Sequence, residues 1–466
     1  MKNTYSHTEQ YIAQLKSIEQ QISQNQLQEA AVQLNVLGKT SPRDPRLFLL
    51  GSRLAEASRN PDGMLQAARK AHDLAPLWPV ATMHLAGVQA NRDQVLEAMA
   101  LAEKALHQAA SQKTGDDVEM LVKAAAIAQR LFRFDKALEW LRQAEKINPA
   151  DLAIRHQVAR TLASSGDHAS AIDMYTAMLL QKPNQPALLM DRLRSYLVAK
   201  KNDQAVADGE ALATLDPDNE GYRFYLAIAR GQTPKSQPVS IIQGMFDGYA
   251  DHFDRHLLLL LQYKLPNDVA NLIHQWHPDR QCDVLDLGCG TGLLGAYLGS
   301  MEGVVVGVDL SYEMIEQATR RHVYDRFHHV NVLDALQATP ENQYHVIAAL
   351  DVLIYVGNLD TVIPDAYRIL VPGGRFVFSC EVGVAAEGDA GYALQGTYRY
   401  THHRSYVQDL LQAAGFTDIT LEDRALRLEL GEPVHGYLVT ASKPLKAPEK
   451  PVRVSVKKSK PARLQP

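Results

Sequence analysis

The sequence predicts an all-α array of helical repeats in the first half of the chain, followed by an α/β domain with a mostly parallel sheet. Three observations lead to this prediction: prolines that recur at a fixed interval, a glycine-rich turn between a short apolar run and a helical pattern, and a second apolar run that ends in an acid. A chain of 466 residues is too long for one ordinary core, so more than one domain is expected.

The composition is that of a globular protein, with 46% hydrophobic and 22% charged residues. The formal net charge of −5 hides an asymmetry, because residues 441–466 carry eight Lys or Arg and one Glu. The remainder is therefore acidic, which disfavours a broad nucleic-acid-binding surface. The most hydrophobic run, residues 257–261, is too short to span a bilayer, and the first residues lack the pattern of a signal peptide.

The cysteine content indicates the compartment. Cys282, Cys289 and Cys380 are too few for a disulfide framework and lack the spacing of a zinc site. We therefore expect a reducing environment, the cytoplasm, and no structural metal.

The first half of the chain repeats with a period of about 34 residues. Three of the four intervals between the marker prolines have this length, and the interval from 76 to 149 contains two periods and five extra residues. Small or flexible apolar residues stand twelve and five positions before each proline, which lets two antiparallel helices approach closely before the proline ends the second one. The prolines are Pro42, Pro76, Pro149, Pro183 and Pro217.

A helix-turn-helix unit of this length resembles the tetratricopeptide repeat, over roughly residues 9–230. The large aromatic residue of the first helix is absent from most units, and the region 77–148 is irregular. The resemblance implies about six repeats stacked as a solenoid, with a concave groove that holds a protein or peptide partner. The alternative is that the array only scaffolds or dimerises the second domain. The Gly-, Pro- and Ser-containing segment 231–240 is expected to be a linker after a repeat domain of residues 1–230.

A glycine-rich turn follows the linker. Residues 282–287 are predicted to form a buried strand, residues 288–292 a turn, and residues 304–309 a second strand that ends in Asp309. This order is typical of a βαβ unit that binds a nucleotide, because glycines let the backbone approach the ligand. The glycine spacing differs from the dinucleotide-binding pattern, and Asp286 would repel a pyrophosphate but attract an ammonium group.

Residues 284–292, ValLeuAspLeuGlyCysGlyThrGly, resemble the first motif of class I S-adenosylmethionine (SAM)-dependent methyltransferases. The resemblance covers about residues 241–443. It implies a Rossmann-like fold with a seven-stranded mixed sheet, SAM as cofactor, S-adenosylhomocysteine (SAH) as product, and no metal. The implied cofactor-binding residues are Asp286, Gly288, Cys289, Gly290, Gly292, Asp309, Leu310, Leu333, Asp334 and Asp351.

The resemblance also gives the acids their expected roles. Asp286 would meet the methionine ammonium group, Asp309 the ribose hydroxyls, and Asp334 the adenine amino group, with Leu333 packed on the ring edge. Asp351 would orient the methionine end or the substrate. Cys289 would serve as a small residue without thiol chemistry.

Three segments are expected to form the acceptor side. The first, 245–257, would contribute Tyr249 and Phe253 as substrate-binding aromatics, and the second, 351–359, Tyr355 as a catalytic candidate. The third, 382–403, begins as a glycine-rich lid and ends in a stretch similar to one in repeat-fused relatives. There His402 is the candidate general base or positioning residue, and the substrate-binding candidates are Arg399 and Tyr400. Arg399 would bind an anionic substrate group or pair with Glu381.

The acceptor itself is not predicted. Methylation of a nucleic-acid amino group is disfavoured, because residues 350–353 lack the Asn/Asp-Pro-Pro-aromatic loop which that chemistry uses. The basic tail, residues 444–466, is expected to be disordered. The sequence leaves open two functions: an enzyme whose repeats recruit a partner or substrate, and a binding protein whose second domain senses SAM or is inactive.

Overall fold

The computed structural model describes residues 8–112, 115, 117–247, 262–383, 390–429 and 431–445. Its internal contacts divide the chain into two compact units, residues 1–215 and 216–466. This division precedes the boundary expected at residue 230. Within the described ranges, no helix has the length and apolar character needed to cross a membrane.

The described part of the first unit consists of six helical hairpins. The second helices of these hairpins begin at a constant interval along the chain, and only the interval between the third and the fourth hairpin is longer. The helices are α1 (Glu9–Ser23), α2 (Leu27–Thr40), α3 (Pro45–Ala57), α4 (Pro61–Leu74), α5 (Pro79–Ala90), α6 (Val95–Gln112), α7 (Asp117–Arg130), α8 (Phe134–Ile147), α9 (Leu152–Ser164), α10 (His168–Gln181), α11 (Pro186–Val198) and α12 (Asn202–Leu215).

The periodic small residues lie at the helix contacts. Ala30, Ala137, Ala171 and Ala205, which stand twelve residues before their prolines, are all fully buried. An alanine at such a position brings two helix backbones close together, because no longer side chain separates them. The five extra residues lengthen the third hairpin: α6 has 18 residues, whereas the second helices of the other hairpins have 14.

The second unit begins with two further helices, α13 (Glu220–Ala229) and α14 (Val239–Asp247). The distance along the chain from the start of α11 at Pro186 to the start of α13 at Glu220 equals the repeat period, yet the contacts of α13 place it in the second unit. This explains why the sequence assigned it to the first domain.

A mixed sheet forms the centre of the second unit, with strands in the order β3-β2-β1-β4-β5-β7-β6. Strands β1 to β5 run parallel to one another, whereas β9 pairs antiparallel with both β5 and β8. The strands are β1 (Val284–Leu287), β2 (Val305–Asp309), β3 (Arg326–His329), β4 (Tyr344–Ala349), β5 (Leu370–Glu381), β6 (Tyr392–Leu394), β7 (Tyr400–His402), β8 (Thr417–Glu429) and β9 (Glu432–Ser442).

Helices cover both faces of this sheet. Alternate residues of β1 enter different hydrophobic clusters, with Leu285 in one and Val284 in the other. Parallel strands buried on both sides need such apolar residues at nearly every position. The helices are α15 (Leu265–Trp276), α16 (Leu293–Leu298), α17 (Tyr312–Thr319), α18 (Val332–Ala338), α19 (Val362–Ile369) and α20 (Arg404–Ala414).

The sequence predicted a seven-stranded sheet, and this strand number is wrong: the described residues form a sheet of nine strands. The two additional strands, β6 and β7, form a hairpin in the segment that the sequence suggested as a lid. Tyr392, Tyr400 and His402 are buried in this hairpin, so burial of its aromatic side chains holds it on the sheet. Residues 384–389 of the expected lid lie outside the described residues.

Candidate functional site

The site is a pocket at the carboxyl ends of the parallel strands β1, β2 and β4, with a volume of about 1090 Å³ including its open mouth. This edge is where open α/β sheets bind ligands. Among the described lining residues there are three carboxylates and no lysine, arginine or histidine. The carboxylates belong to Asp286, Asp309 and Asp351.

The glycine turn after β1 forms the floor of the pocket. Gly288, Gly290 and Gly292 all have positive φ angles, of 68°, 52° and 82°. A Cβ atom on Gly288 would lie 2.1 Å from Cγ2 of Val352, so that position has neither the conformation nor the space for a side chain. Gly288 and Gly290 line the pocket, whereas Gly292 caps the start of α16 and is not among the lining residues.

Cys289 lies in the same turn and lines the pocket. Burial raises the pKa of its thiol well above the usual value, so the side chain is a neutral thiol at physiological pH.

Asp286 is a buried carboxyl group, 3% exposed, at the end of β1. Burial raises its pKa to about 7, although a hydrogen bond from Tyr324 opposes this shift. The Tyr324 hydroxyl donates to Oδ2 of Asp286 at 2.6 Å. An acid in this state gains its charge most readily when a cation comes into contact with it.

Asp309 ends β2 and is 8% exposed. Its Oδ2 accepts a hydrogen bond of 2.8 Å from the Gly290 backbone N–H, and its Oδ1 accepts one of 2.9 Å from Ser311 N–H. Burial raises the pKa of Asp309, and these backbone donors oppose the rise. Because a carboxylate has about four lone-pair positions, it can accept further hydrogen bonds from hydroxyls in the pocket.

The segment after β3 lines the pocket with different residues from those expected. Leu333 lies on the pocket wall, as the sequence suggested, and so does Asn331. Leu310, which follows β2, also lines the pocket as expected. Asp334 is exposed in the first turn of α18 and is not among the lining residues, because the Asn331 side chain accepts from Leu333 N–H and starts the helix there.

Asp351 stands two residues after β4 and has a φ of +54°, an unfavourable conformation for a non-glycine residue. Its Oδ2 accepts a hydrogen bond of 2.6 Å from Arg427 Nη1. Its own N–H donates to Ser379 Oγ at 2.8 Å, and that hydroxyl donates to Asp351 Oδ1 at 3.1 Å. The carboxylate is thus fixed in the pocket wall by groups on β5 and β8.

Asp351 belongs to a largely buried ionic cluster of three carboxylates and two guanidinium groups. Arg427 also binds Glu381 and Glu429, while Arg399 pairs with Glu381 at 3.0 Å and with Glu429 at 2.7 Å. The sequence left Arg399 with two roles, and its pairing with Glu381 is the one that the geometry supports. Both guanidinium groups are already paired, so neither offers a free cation to an anionic substrate.

The residues expected to act on the substrate in the segment 399–402 lie away from the pocket lining. Tyr400 is fully buried, and its hydroxyl donates to the Pro234 carbonyl oxygen at 2.9 Å. His402 Nε2 lies 2.9 Å and 3.0 Å from the carbonyl oxygens of Val356 and Gly357, so it donates to the backbone. Burial lowers the pKa of His402 to about 4. It is a neutral structural histidine and not the base that the sequence suggested.

Tyr355 lines the pocket, as expected, with its ring 5.7 Å from that of Phe246 on α14. Burial raises the pKa of Tyr355 to about 12, so its phenol is neutral near pH 7. Tyr249 and Phe253 lie outside the described residues.

The expected linker also forms part of the pocket wall. Gln237 N–H donates to the Tyr355 carbonyl oxygen at 3.0 Å, and Gly357 N–H donates to that of Lys235 at 2.8 Å. Ser236 and Gln237 line the pocket. The Pro- and Ser-containing composition reflects an extended segment that pairs with the loop after β4.

Three functional residues were missed by sequence reasoning: Tyr324, Gln237 and Arg427. Each contacts a group that is distant in the sequence, so no local spacing indicates it. Arg427 gave no local signal either, because its strand carries several other charged residues.

Comparisons with known proteins agree with this geometry. Residues 285–376 match the model of a family described as a methyltransferase domain. The chain is 26% identical over 159 residues to a demethylmenaquinone methyltransferase of Symbiobacterium thermophilum, covering 32% of this chain and 63% of that protein. It is 31% identical over 102 residues to a ubiquinone biosynthesis O-methyltransferase of Psychrobacter cryohalolentis, covering 21% of this chain and 39% of that protein.

The chain thus spans between 39% and 63% of the length of these two curated relatives. Among solved structures, it is similar to magnesium protoporphyrin IX methyltransferase from Synechocystis with bound SAH. The TM-score is 0.34 and the identity 16%, over 44% of this chain and 99% of that one. By sequence, residues 285–376 are therefore similar to a methyltransferase domain.

Proposed function

We propose that the second unit is a class I methyltransferase domain that binds SAM in this pocket and transfers its methyl group to an acceptor still to be identified. The observation that supports this most strongly is the convergence of the glycine turn, Asp286 and Asp309 on one pocket whose described lining has no basic side chain. SAM carries a net positive charge, and an acidic wall suits such a ligand.

The residues present fit the cofactor. Gly288 and Gly290 line the pocket without side chains, which lets the backbone of the turn approach a ligand. Asp309 would accept hydrogen bonds from the ribose hydroxyls, and Asp286 would accept them from the ammonium group. Asn331 and Leu333 would border the adenine. When bound, SAM would supply a methyl group: the acceptor atom would bond to the methyl carbon in line with the breaking carbon–sulfur bond, and SAH would leave.

The chain contributes mainly by orienting the two reactants and excluding water. A general base is required only if the acceptor atom carries a proton at the working pH. Within the described lining, Asp351 is ion-paired with Arg427 and Tyr355 is a neutral phenol. The site therefore suits an acceptor that arrives deprotonated or loses its proton to solvent.

We propose that the helical hairpins of the first unit are tetratricopeptide-like repeats and that they recruit a protein partner or a substrate. Supporting this, the first helices α3, α5 and α7 line one groove that combines apolar and charged side chains. Its charged lining residues are of both signs: Glu56 is an acid, and the cations Arg53 and Lys123 pair with Glu19 and Glu119. A partner that carries both acidic and basic side chains would complement this groove. On the sequence argument from the cysteines, we also propose a cytoplasmic location.

The activity is tested by incubating the full-length chain with tritiated methyl-SAM and cell lysate, and then separating proteins from small molecules. Label above background in either fraction supports methyl transfer, and its distribution identifies the acceptor class; both curated relatives are named for small-molecule pathways. Asp309→Ala serves as the control and should abolish the label. No label in either fraction would contradict the activity. If SAM nevertheless bound tightly, the alternative function of a SAM-sensing binding protein would be favoured.

A further inference from the structure

We propose that Tyr324, a residue outside the glycine motif, is a positioning residue that fixes the Asp286 carboxylate for the ammonium group of the cofactor. This inference rests on the proposed function, because it assumes that SAM or SAH occupies the pocket. It goes further by assigning a role to a phenol in the loop before β3.

The Tyr324 hydroxyl is held from two sides. It donates to Asp286 Oδ2 at 2.6 Å and accepts a hydrogen bond from the Gly295 backbone N–H at 3.1 Å. Because Gly295 belongs to α16, the phenol connects the first turn of that helix to the acid at the end of β1. A hydroxyl with both donor and acceptor roles satisfied has a fixed position, and it fixes the carboxylate with it.

The ring of Tyr324 also has a fixed place. A Cβ atom on Gly295 would lie 2.4 Å from its Cε2, and one on Gly292 would lie 3.0 Å from the same atom. The Phe327 ring packs on it at 5.0 Å. Two glycines of the turn and its helix therefore make the space that the ring fills.

Tyr324 acts through Asp286 and not on the ligand. Asp286 lines the pocket, and Tyr324 is absent from the described lining. The phenol therefore contacts the carboxylate from behind the pocket wall. Oδ2 is occupied by the hydroxyl, and the acid still has lone pairs for a cation on the pocket side.

The electrostatic surroundings of Asp286 indicate what the hydroxyl does. Burial raises the pKa of Asp286, the bond from Tyr324 lowers it, and the nearby Asp309 raises it. Cys289 and Tyr263 also face Asp286, and burial raises the pKa of both well above their usual values, so both are neutral near pH 7. Tyr324 is thus the neighbour that favours the charged form of Asp286, the form that binds an ammonium group.

The test is isothermal titration of SAH into the full-length chain between pH 6 and pH 9, with wild type, Tyr324→Phe and Asp286→Asn. SAH keeps the ammonium group and lacks the reactive methyl. For wild type, we expect the affinity to rise with pH through about pH 7, where Asp286 is half ionised, and to level off at about pH 8.

Tyr324→Phe removes only the hydroxyl that favours the charged form of Asp286. The SAH affinity of this variant should therefore reach its plateau at a higher pH than that of the wild type. A loss of about 1.4 kcal/mol moves the profile by about one pH unit, which is roughly a tenfold weaker affinity at pH 6.5 with near-normal affinity at pH 9. Asp286→Asn should give a flat, weak profile. Tyr344→Phe, at a part-buried tyrosine on β4 outside the pocket, is the matched control and should follow the wild type.

A Tyr324→Phe profile that coincides with the wild type, or that is weaker by the same factor at every pH, would overturn the positioning role. Melting temperatures of all variants show whether a loss comes from unfolding. If the wild type binds no SAH at any pH, the proposed function itself fails. If the wild type binds and only the expected pH shift is missing, the inference about Tyr324 alone fails.

Discussion

Arg427 Nη1 donates a hydrogen bond of 2.6 Å to Asp351 Oδ2, although 76 positions separate the two residues in the sequence. Arg427 lies on β8, and Asp351 lies just after β4. A residue of an antiparallel strand at the end of the domain therefore fixes one wall of the pocket. Burial alone would lower the pKa of Arg427, but Asp351, Glu381 and Glu429 outweigh it and raise that pKa.

Replacing this arginine should be strongly destabilising. Arg427→Met leaves Glu381 and Glu429 with Arg399 as their cation and takes the cation from Asp351, which keeps the Ser379 hydroxyl. Breaking a buried pair in this way costs about 3–5 kcal/mol. We expect this loss in the free energy of unfolding measured by urea denaturation. Arg424→Met on the same strand is the control, because Arg424 is exposed and pairs only with exposed Glu422, and should cost less than about 1 kcal/mol. Equal losses in the two variants would contradict the role of the cluster.

The contact between the glycine turn and Val352 gives a second prediction. Gly288→Ala combines an unfavourable φ of +68° with a Cβ atom 2.1 Å from Val352 Cγ2. The strain is about 1–3 kcal/mol, and a turn that moves to relieve it leaves the conformation that lines the pocket, so SAH affinity should fall by about 5- to 150-fold. Adding Val352→Ala removes the clashing methyl and should restore part of the affinity. Gly396→Ala is the control, since no atom lies within 4 Å of its added Cβ. A double variant no better than Gly288→Ala would show that the steric argument is incorrect.

His402 gives a prediction about pH. Its pKa is lowered to about 4 in the folded chain from an ordinary value of 6.5, so the unfolded state binds more protons below pH 6.5. Its contribution to stability is therefore complete above pH 6.5 and is lost as the pH falls towards 4. At pH 5 the loss is about 2 kcal/mol relative to pH 7.5.

The variant His402→Gln retains a donor for the two carbonyl oxygens but cannot titrate. Its free energy of unfolding, measured by urea denaturation at pH 7.5 and pH 5, should decline about 2 kcal/mol less than that of the wild type. His328→Gln, at an exposed position on β3, should follow the wild type. Identical declines in His402→Gln and the wild type would contradict the buried, neutral state of this histidine.

The sequence predicted those features that depend on local pattern. Ala30 and Ala171 were identified from spacing alone and are fully buried, because a helix contact recurs wherever its small residue recurs. Asp286 was identified from the motif around the glycine turn, and Asp309 because it ends the second strand; both line the pocket.

Features that depend on contacts between distant segments could not be predicted. His402 resembled a base because its residue type titrates near neutrality, but burial against the backbone of residues 356 and 357 removes that property. Gln237 resembled a linker residue because Pro and Ser surround it, yet its segment pairs with the loop after β4. In both cases the deciding factor is the loop after β4, which no pattern near either residue reveals.

The central claim is that the pocket above β1 and β2 binds a SAM-type ligand through its acids, and calorimetry tests it most directly. Titration of SAH into the wild-type chain at pH 8 should give one site per chain, and Asp309→Ala should lose most or all of that binding. Absence of SAH binding to the folded wild type, or equal binding by Asp309→Ala, would contradict the claim.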